Sequence, residues 1–174
     1  MNEPLVWSTY ALVAIAIILV AIDIVALWVL ARGAPYIPTK AEGVERILSL
    51  VEKRPNMRAV DIGSGDGRIV IALAKTGIES HGYEINPVLV QLSRKKIREA
   101  NLEHLAQIHW KDLWKTNFSR YDVVTLFGVG YIMKRLEKKL QRELKPGSQV
   151  ISLGFQFPTW PLKEKNGGLY IYIK

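Results

Sequence analysis

The chain of 174 residues has no cysteine. Disulfides and cysteine metal sites are therefore excluded, and nothing firm follows about redox compartment. Its three histidines, His81, His104 and His109, lack metal-ligand spacing and read as ordinary strand or surface residues. Acidic residues are in the minority, 16 against 24 Lys plus Arg, for a formal net charge of +8. That balance suits an anionic membrane surface or nucleic acid, or no more than a solvated surface. Internal repeats and low-complexity tails are absent, and the length bounds the chain to one domain plus an extension.

Lysine and arginine are also missing before Arg32, where Leu5 to Leu30 is an almost unbroken apolar run of about 26 residues. At ~1.5 Å rise per residue this is ~39 Å of helix, enough to span a ~30 Å hydrocarbon core with tilt. Trp7 and Tyr10 near one end and Trp28 near the other match interfacial aromatics. A cleaved signal peptide would want a basic start and an apolar run of ~7–15 residues. Here Glu3 stands at the start and the run is longer, so a retained anchor is expected. Asp23, the one charge inside, lies off centre, which suits tolerance near the interface, with a functional or helix-pairing role as the alternative. The expected division is 1–34, anchor and linker, and 35–174, a catalytic domain. Positive charge following the span places that domain in the cytoplasm, with a single pass.

After the helix-breaking Arg32–Pro38, Thr39-Lys40-Ala41-Glu42 reads as a capping box. Val44, Ile47, Leu48 and Val51 follow at the i, i+3, i+4, i+7 spacing of an amphipathic helix that Pro55-Asn56 ends. Strands are predicted at Ala59–Ile62, Ser80–Ile85, Ala106–Trp110, Tyr121–Phe127, Gln149–Leu153 and Leu169–Ile173. Helices are predicted from Ile69, from Pro87 to about Ala100 with Asn86 as cap, and over Tyr131–Leu144. The last carries Met133, Leu136, Leu140 and Leu144 on one face, with Lys134, Arg135, Lys138, Lys139 and Arg142 elsewhere. Asn166-Gly167-Gly168 is a hairpin turn. Strand–helix alternation of this kind gives an α/β fold, a mostly parallel Rossmann-like sheet with an antiparallel terminal strand and its ligand at the strands' carboxyl ends.

The chain is organised around Asp61-Ile62-Gly63-Ser64-Gly65-Asp66-Gly67-Arg68, between the first strand and a helix. Gly63, Gly65 and Gly67 allow positive φ and close approach of backbone to a ligand, with Ser64 between them. The helix N-terminus behind them offers free N–H groups. An adenosine-type cofactor is expected, and G-x-G-x-G after Asp61 departs from the dinucleotide fingerprint G-x-G-x-x-G. Glu84, at the end of the second strand, suits a bidentate acceptor for both ribose hydroxyls. Asp112, after the third, suits an adenine amino group, with Leu113 or Trp114 covering the ring. Asp61 lies near enough to hold an amino group directly or through water. Each acid alone fits a helix cap equally well; three at successive strand ends beside one glycine turn point to a ligand.

The glycine turn resembles the first motif of the seven-strand, S-adenosyl-L-methionine-dependent (class I) methyltransferases. With Tyr83-Glu84-Ile85-Asn86-Pro87, Asp112-Leu113-Trp114-Lys115, Phe127-Gly128-Val129 and Leu136-Glu137-Lys138-Lys139-Leu140, the chain resembles one family more narrowly. These are the small protein-lysine methyltransferases that modify the ATP synthase c-subunit and the adenine nucleotide translocase, with prokaryotic and archaeal relatives. The resemblance includes the hydrophobic segment ahead of the domain. It also includes Pro35-Tyr36-Ile37-Pro38-Thr39, which in that family lies over the cofactor. It implies cofactor contacts from Tyr36, Thr39 and Asn86 beside Asp61, Gly63, Ser64, Gly65, Gly67, Glu84, Asp112 and Leu113. It does not specify a target protein.

Phe127-Gly128-Val129-Gly130 stands where methyltransferases of adenine or glutamine amides carry Asn/Asp-Pro-Pro-Tyr/Phe, which argues against those substrates. The absence of cysteine removes covalent base methylation. Phe127, Phe155, Phe157 and Trp160 are candidates to line a lysine channel, and core filling is the equal alternative for each. The leading expectation is a membrane-anchored protein-lysine methyltransferase whose targets are membrane-associated proteins. Methylation of a lipid or quinone is a second enzyme reading, and a cofactor-binding membrane adaptor is a third. Nucleic acid is not an expected partner, since the basic residues lack interleaved aromatics.

Overall fold

The structure is a computed structural model that describes residues 3–32 and 37–174, with side chains described over 7–24 and 37–174. The chain divides after Pro35 into two units. The first contains α1 (Glu3–Arg32), whose stretch Trp7–Ile24 has a mean hydropathy of 2.1 and is long and apolar enough to cross a membrane.

The second unit is built on a seven-stranded sheet. Its strands are β1 (Arg58–Ile62), β2 (Glu79–Glu84), β3 (Ala106–Trp110), β4 (Val123–Phe127), β5 (Gln149–Leu153), β6 (Glu164–Asn166) and β7 (Leu169–Ile173), in the spatial order β3-β2-β1-β4-β5-β7-β6. The first five pair in parallel, and β7 runs antiparallel to both β5 and β6. β1 is central, and Ala59 to Ile62 are all buried, as expected of a parallel strand covered on both faces.

Side-chain alternation along β1 feeds two cores. Ala59 faces α2 (Ala41–Leu50) and α3 (Arg68–Lys75) in a cluster with Ile47, Val51, Ile69 and Leu73. On the same side, α4 (Pro87–Glu99) brings Val90 and Ile97 against Val70, Ala106 and Ile108. Val60 and Ile62 face α5 (Gly130–Glu143), which contributes Met133, Leu136 and Leu140. Burying one such leucine is worth about 1.5–3 kcal/mol. The β3–β4 and β5–β6 connections complete this core with Phe118, Tyr121, Phe157 and Trp160 rather than with long helices.

Several expectations are corrected. No capping box forms at Thr39–Glu42: Lys40 is the N-cap of α2 and makes no side-chain cap bond. α2 ends at Leu50, five residues before Pro55, because Val51 is already extended and buried in the core. The segment Glu164–Asn166 is a strand, β6, held by backbone pairing to β7 although its side chains are exposed, so no periodic pattern marked it. Lys139, expected only to lie off the apolar face of α5, is turned inward, unlike Lys134, Arg135, Lys138 and Arg142. It is 7 % exposed, and its ammonium donates to Thr116 O (2.6 Å) and Glu143 Oε1 (2.7 Å). Asn86 caps α4 as expected, its Oδ1 accepting from Val88 N at 3.0 Å.

Candidate active site

The glycine turn leaves β1 at the carboxyl end of the sheet. Gly63, Gly65 and Gly67 all have positive φ, +73°, +54° and +79°. Gly63 N and Ser64 N donate to Tyr83 O of β2 (2.9 and 3.2 Å), and Gly67 N closes the turn on Ser64 O (2.9 Å). The Ser93 hydroxyl of α4 lies 2.9 Å from Gly65 O. The glycines have different tasks. A Cβ on Gly67 would meet Ser93 Cβ at 2.8 Å, so this glycine lets α4 close on the turn. A Cβ on Gly63 would meet nothing within 4 Å, so here the bare backbone borders open space. Ser64 turns its side chain under the turn toward Gly82, and its buried hydroxyl has no hydrogen-bond partner among the described residues.

Glu84, 7 % exposed, is the keystone of two connections. Its Oε2 accepts from Gly65 N (2.9 Å), and its Oε1 accepts from Ile85 N and Asn86 N (both 2.8 Å). A carboxylate has roughly four acceptor positions, so the remaining capacity lies on Oε2, beside the turn. Asp61 is 3 % exposed and accepts a 2.7 Å hydrogen bond from Thr125 Oγ1 of β4. Burial pushes its carboxyl up to about 7, against the Thr125 hydrogen bond, with the Glu84 and Asp66 charges acting in the same direction as burial. A ligand cation brought against Asp61 would favour its charged form.

Asp112 is half-buried, and its Oδ1 accepts from Trp114 N (2.9 Å), capping the 3-10 turn Leu113–Lys115 that follows β3. Leu113 and Trp114 pack on the α5 core cluster, and Arg135 stacks over the Trp114 ring at 4.0 Å. Lys111 N donates to Glu84 O (3.1 Å), which ties the start of this connection to the end of β2. Asp61, Glu84 and Asp112 thus end or follow neighbouring strands around the turn, an arrangement suited to a nucleoside cofactor that carries an amine.

Thr39 comes to the turn through its carbonyl, which accepts from Arg68 Nη1 at 2.6 Å. Tyr36 lies outside the described residues. The four aromatic candidates separate. Phe127, the last residue of β4, and Phe155, just past β5, meet edge to face at 6.3 Å, both partly exposed. Phe157 and Trp160 are 1 % and 6 % exposed and pack on Tyr172, with centroids 5.0 and 5.6 Å from its ring, so their place is the core.

Sequence reasoning passed over Thr125, Ser93 and Asp66. Ser93 had a legible signal, a polar residue between Val90 and Ile97 on the buried stripe of α4. Asp66 is 4 % exposed and receives Arg68 Nε (2.8 Å), Arg68 Nη2 (2.9 Å) and the Lys96 ammonium. Burial opposes its charge, but the two cations outweigh it and hold the carboxyl down at about 2. A groove of about 420 Å³ borders this ion-pair network and is lined by Thr39, Val44 and Leu48 together with Asp66, Arg68 and Lys96. Asp61, Glu84 and Asp112 are not in its lining, and its central cluster sets one carboxylate against two cations. No group of three or more acidic or histidine side chains suited to a metal occurs among the described residues.

The ANTKMT methyltransferase domain family matches residues 61–164. The lysine N-methyltransferase of the ATP synthase c-subunit from Xenopus laevis is 47% identical over 126 residues, covering 72% of this chain and 55% of that protein. The chain therefore spans about half the length of such relatives. A protein-lysine N-methyltransferase of Saccharolobus islandicus is 31% identical and is matched over 92% of its length and 80% of this chain. An RNA methyltransferase of Salinibacter ruber, solved with S-adenosyl-L-homocysteine, superposes with a TM-score of 0.74 at 33% identity, over 79% of this chain and 93% of that one. The sheet is thus a Rossmann-like methyltransferase sheet, and the chain belongs to the ANTKMT methyltransferase domain family.

Proposed function

We propose that the chain is an S-adenosyl-L-methionine-dependent protein-lysine N-methyltransferase. Its targets are membrane-associated proteins, and it acts from a single-pass anchor with the catalytic unit in the cytoplasm. The observation that carries the reading is the Gly63–Gly67 turn bonded to Glu84, whose Oε2 accepts from Gly65 N, with Asp61 on β1, Asp112 just after β3, and a partly exposed aromatic pair, Phe127 and Phe155, at or past the ends of β4 and β5. Relatives named as lysine methyltransferases support the acceptor. An apolar stretch, Trp7–Ile24, followed by Arg32 and a basic catalytic unit, supports the anchor and its orientation.

When bound, the cofactor would supply an electrophilic methyl group on a positively charged sulfur, which would leave as a neutral thioether as the lysine amine takes up the methyl group in line. Glu84 Oε2 would accept a ribose hydroxyl, Asp112 would face the adenine amino group, and Asp61 would hold the methionine ammonium. The backbone at Gly63 would lie against the cofactor, since no side chain intervenes there. The lysine must arrive neutral, which at pH 7 costs about 4.6 kcal/mol from its free pKa of ~10.4. Phe127 and Phe155 would lower that cost by desolvating the ammonium, and their faces hold the alkylamine in place. Orientation of amine and methyl group supplies most of the remaining acceleration.

A second reading, methylation of RNA, is favoured by the Salinibacter ruber structure and by the basic surface. The test is to incubate the full chain with membranes, soluble protein and total RNA in the presence of methyl-labelled cofactor. Acid-stable label on lysine of membrane protein is the expected result. Label confined to RNA or to the lipid fraction overturns the assignment of acceptor, and cofactor binding without transfer to any fraction leaves an adaptor.

A further inference from the structure

We propose that the solvent face of α5 is a docking surface for the anionic headgroups of a phospholipid bilayer; this rests on the reading of the chain as an enzyme acting at a membrane. The exposed residues of α5 are Gly130, Tyr131, Lys134, Arg135, Lys138 and Arg142. They comprise four cations, one aromatic and no carboxylate. The two acids of the helix lie off this face, each held in hydrogen bonds. Glu137 is 2 % exposed and accepts from Thr159 N (3.1 Å) and Thr159 Oγ1 (2.6 Å). Glu143 takes the buried Lys139 ammonium at 2.7 Å and is shared with Arg142 at 3.2 Å.

Lys134, Lys138 and Arg142 repeat at i, i+4, i+8, so they lie along one side of the helix over ~12 Å of its axis. Tyr131, 72 % exposed, heads the stripe. Its neighbour Gly130 lies beside the Phe155 ring, 3.9 Å from where a Cβ would stand. The charged stripe therefore begins next to the aromatic pair where the acceptor lysine would enter. A helix lying with this face on a bilayer would bring that entrance to the headgroup level, and a tyrosine at its leading end suits the interface.

Charge complementarity alone would also admit nucleic acid. The lipid surface is favoured because the same chain carries an apolar stretch able to cross a membrane, and residues 33–40, between α1 and α2, reach less than ~30 Å even fully extended. Each cation near an anionic leaflet is worth roughly fivefold in partitioning.

The test uses the full chain in nanodiscs of phosphatidylcholine alone or with phosphatidylserine. Lysines are acylated briefly and quantified residue by residue by mass spectrometry. Lys134 and Lys138 should react severalfold more slowly in the anionic discs, the protection should vanish at high salt, and exposed Lys75 should react equally in both. Equal rates for Lys134 and Lys138 in the two discs overturn the proposal. Protection by added RNA in neutral discs, without protection by phosphatidylserine, also overturns it and assigns the face to nucleic acid. The Lys134→Glu/Lys138→Glu double variant should slow methylation of lysines in anionic discs and leave transfer to a short soluble lysine peptide unchanged. If neither protein methylates any lysine, the enzymatic reading fails while the acylation pattern still reports the docking surface.

Discussion

Thr125 Oγ1 donates a 2.7 Å hydrogen bond to Asp61 Oδ1, and the two residues are direct partners in the parallel pairing of β1 with β4. This bond is the interaction that most offsets the burial of Asp61. Removing the donor makes the buried carboxylate costlier, so Thr125→Val should raise the Asp61 pKa above its present value of about 7. If Asp61 holds a cofactor ammonium, affinity in the unmodified protein falls as pH drops through that value. In Thr125→Val the fall begins at higher pH, and affinity at pH 7 drops roughly ten- to a hundredfold, the equivalent of a lost hydrogen bond to a charge. Calorimetric titrations from pH 6 to 9 read both effects. An unchanged profile would place the ammonium elsewhere.

Two glycines of the turn should respond to alanine in different ways. Gly67→Ala forces a Cβ to 2.8 Å from Ser93 Cβ at a φ of +79°. Left-handed strain of ~1–2 kcal/mol and an overpacking cost of ~1–3 kcal/mol should both appear in urea unfolding. Gly63→Ala has the same kind of φ, +73°, but open space around the new methyl group. It should lose only the strain in stability and a larger share of cofactor affinity, because the methyl group would occupy the cofactor's approach. Equal binding losses in both variants would argue against Gly63 as the contact.

His81 Nδ1 lies 2.9 Å from His109 Nε2, and the rings stack at 5.2 Å. Burial, then the charges of His81, Arg120, Arg94 and Lys111, lower His109 to about 4, and burial lowers His81 as well. Folded-state pKa values below the unfolded ~6.5 mean that the unfolded chain takes up the proton first. These residues therefore add full stability above about pH 6.5 and lose it as pH falls toward 4. His109→Gln keeps a partner for His81 without the titration, so its melting temperature should decline less between pH 7 and 5. Parallel declines would remove the histidine pair as the cause.

Glu137 ties the connection after β5 to α5 through its bonds to Thr159. Glu137→Ala should remove the charged acceptor shared by the part-buried Thr159 N–H and hydroxyl and cost about 1.5–3 kcal/mol in urea unfolding. Glu137→Gln retains an acceptor oxygen and should recover part of that loss. If alanine and glutamine variants unfold at the same midpoint, the bonds to Thr159 contribute little.

What the sequence determined by itself was whatever periodicity and short-range chemistry can write. The boundaries of β3, β5 and β7 were legible from apolar runs between turn residues, and the Asn86 cap and the apolar face of α5 from local spacing. The glycine turn and the acids at 61, 84 and 112 could be placed at strand ends because strand–helix alternation dictates that geometry. Only the tertiary structure decided which of these residues spend their polar groups on the fold. Glu84 commits three of its acceptor positions to backbone N–H groups, and Asp61 depends on a hydroxyl 64 residues away. The same holds for the aromatics, since Phe155 and Phe157 are two positions apart yet one is partly exposed and the other buried against Tyr172. It holds for Lys139 too, drawn inward by Thr116 and Glu143. Burial, hydrogen-bond partners and pKa arise from groups that the chain brings together only on folding, and no local pattern encodes which of them will meet.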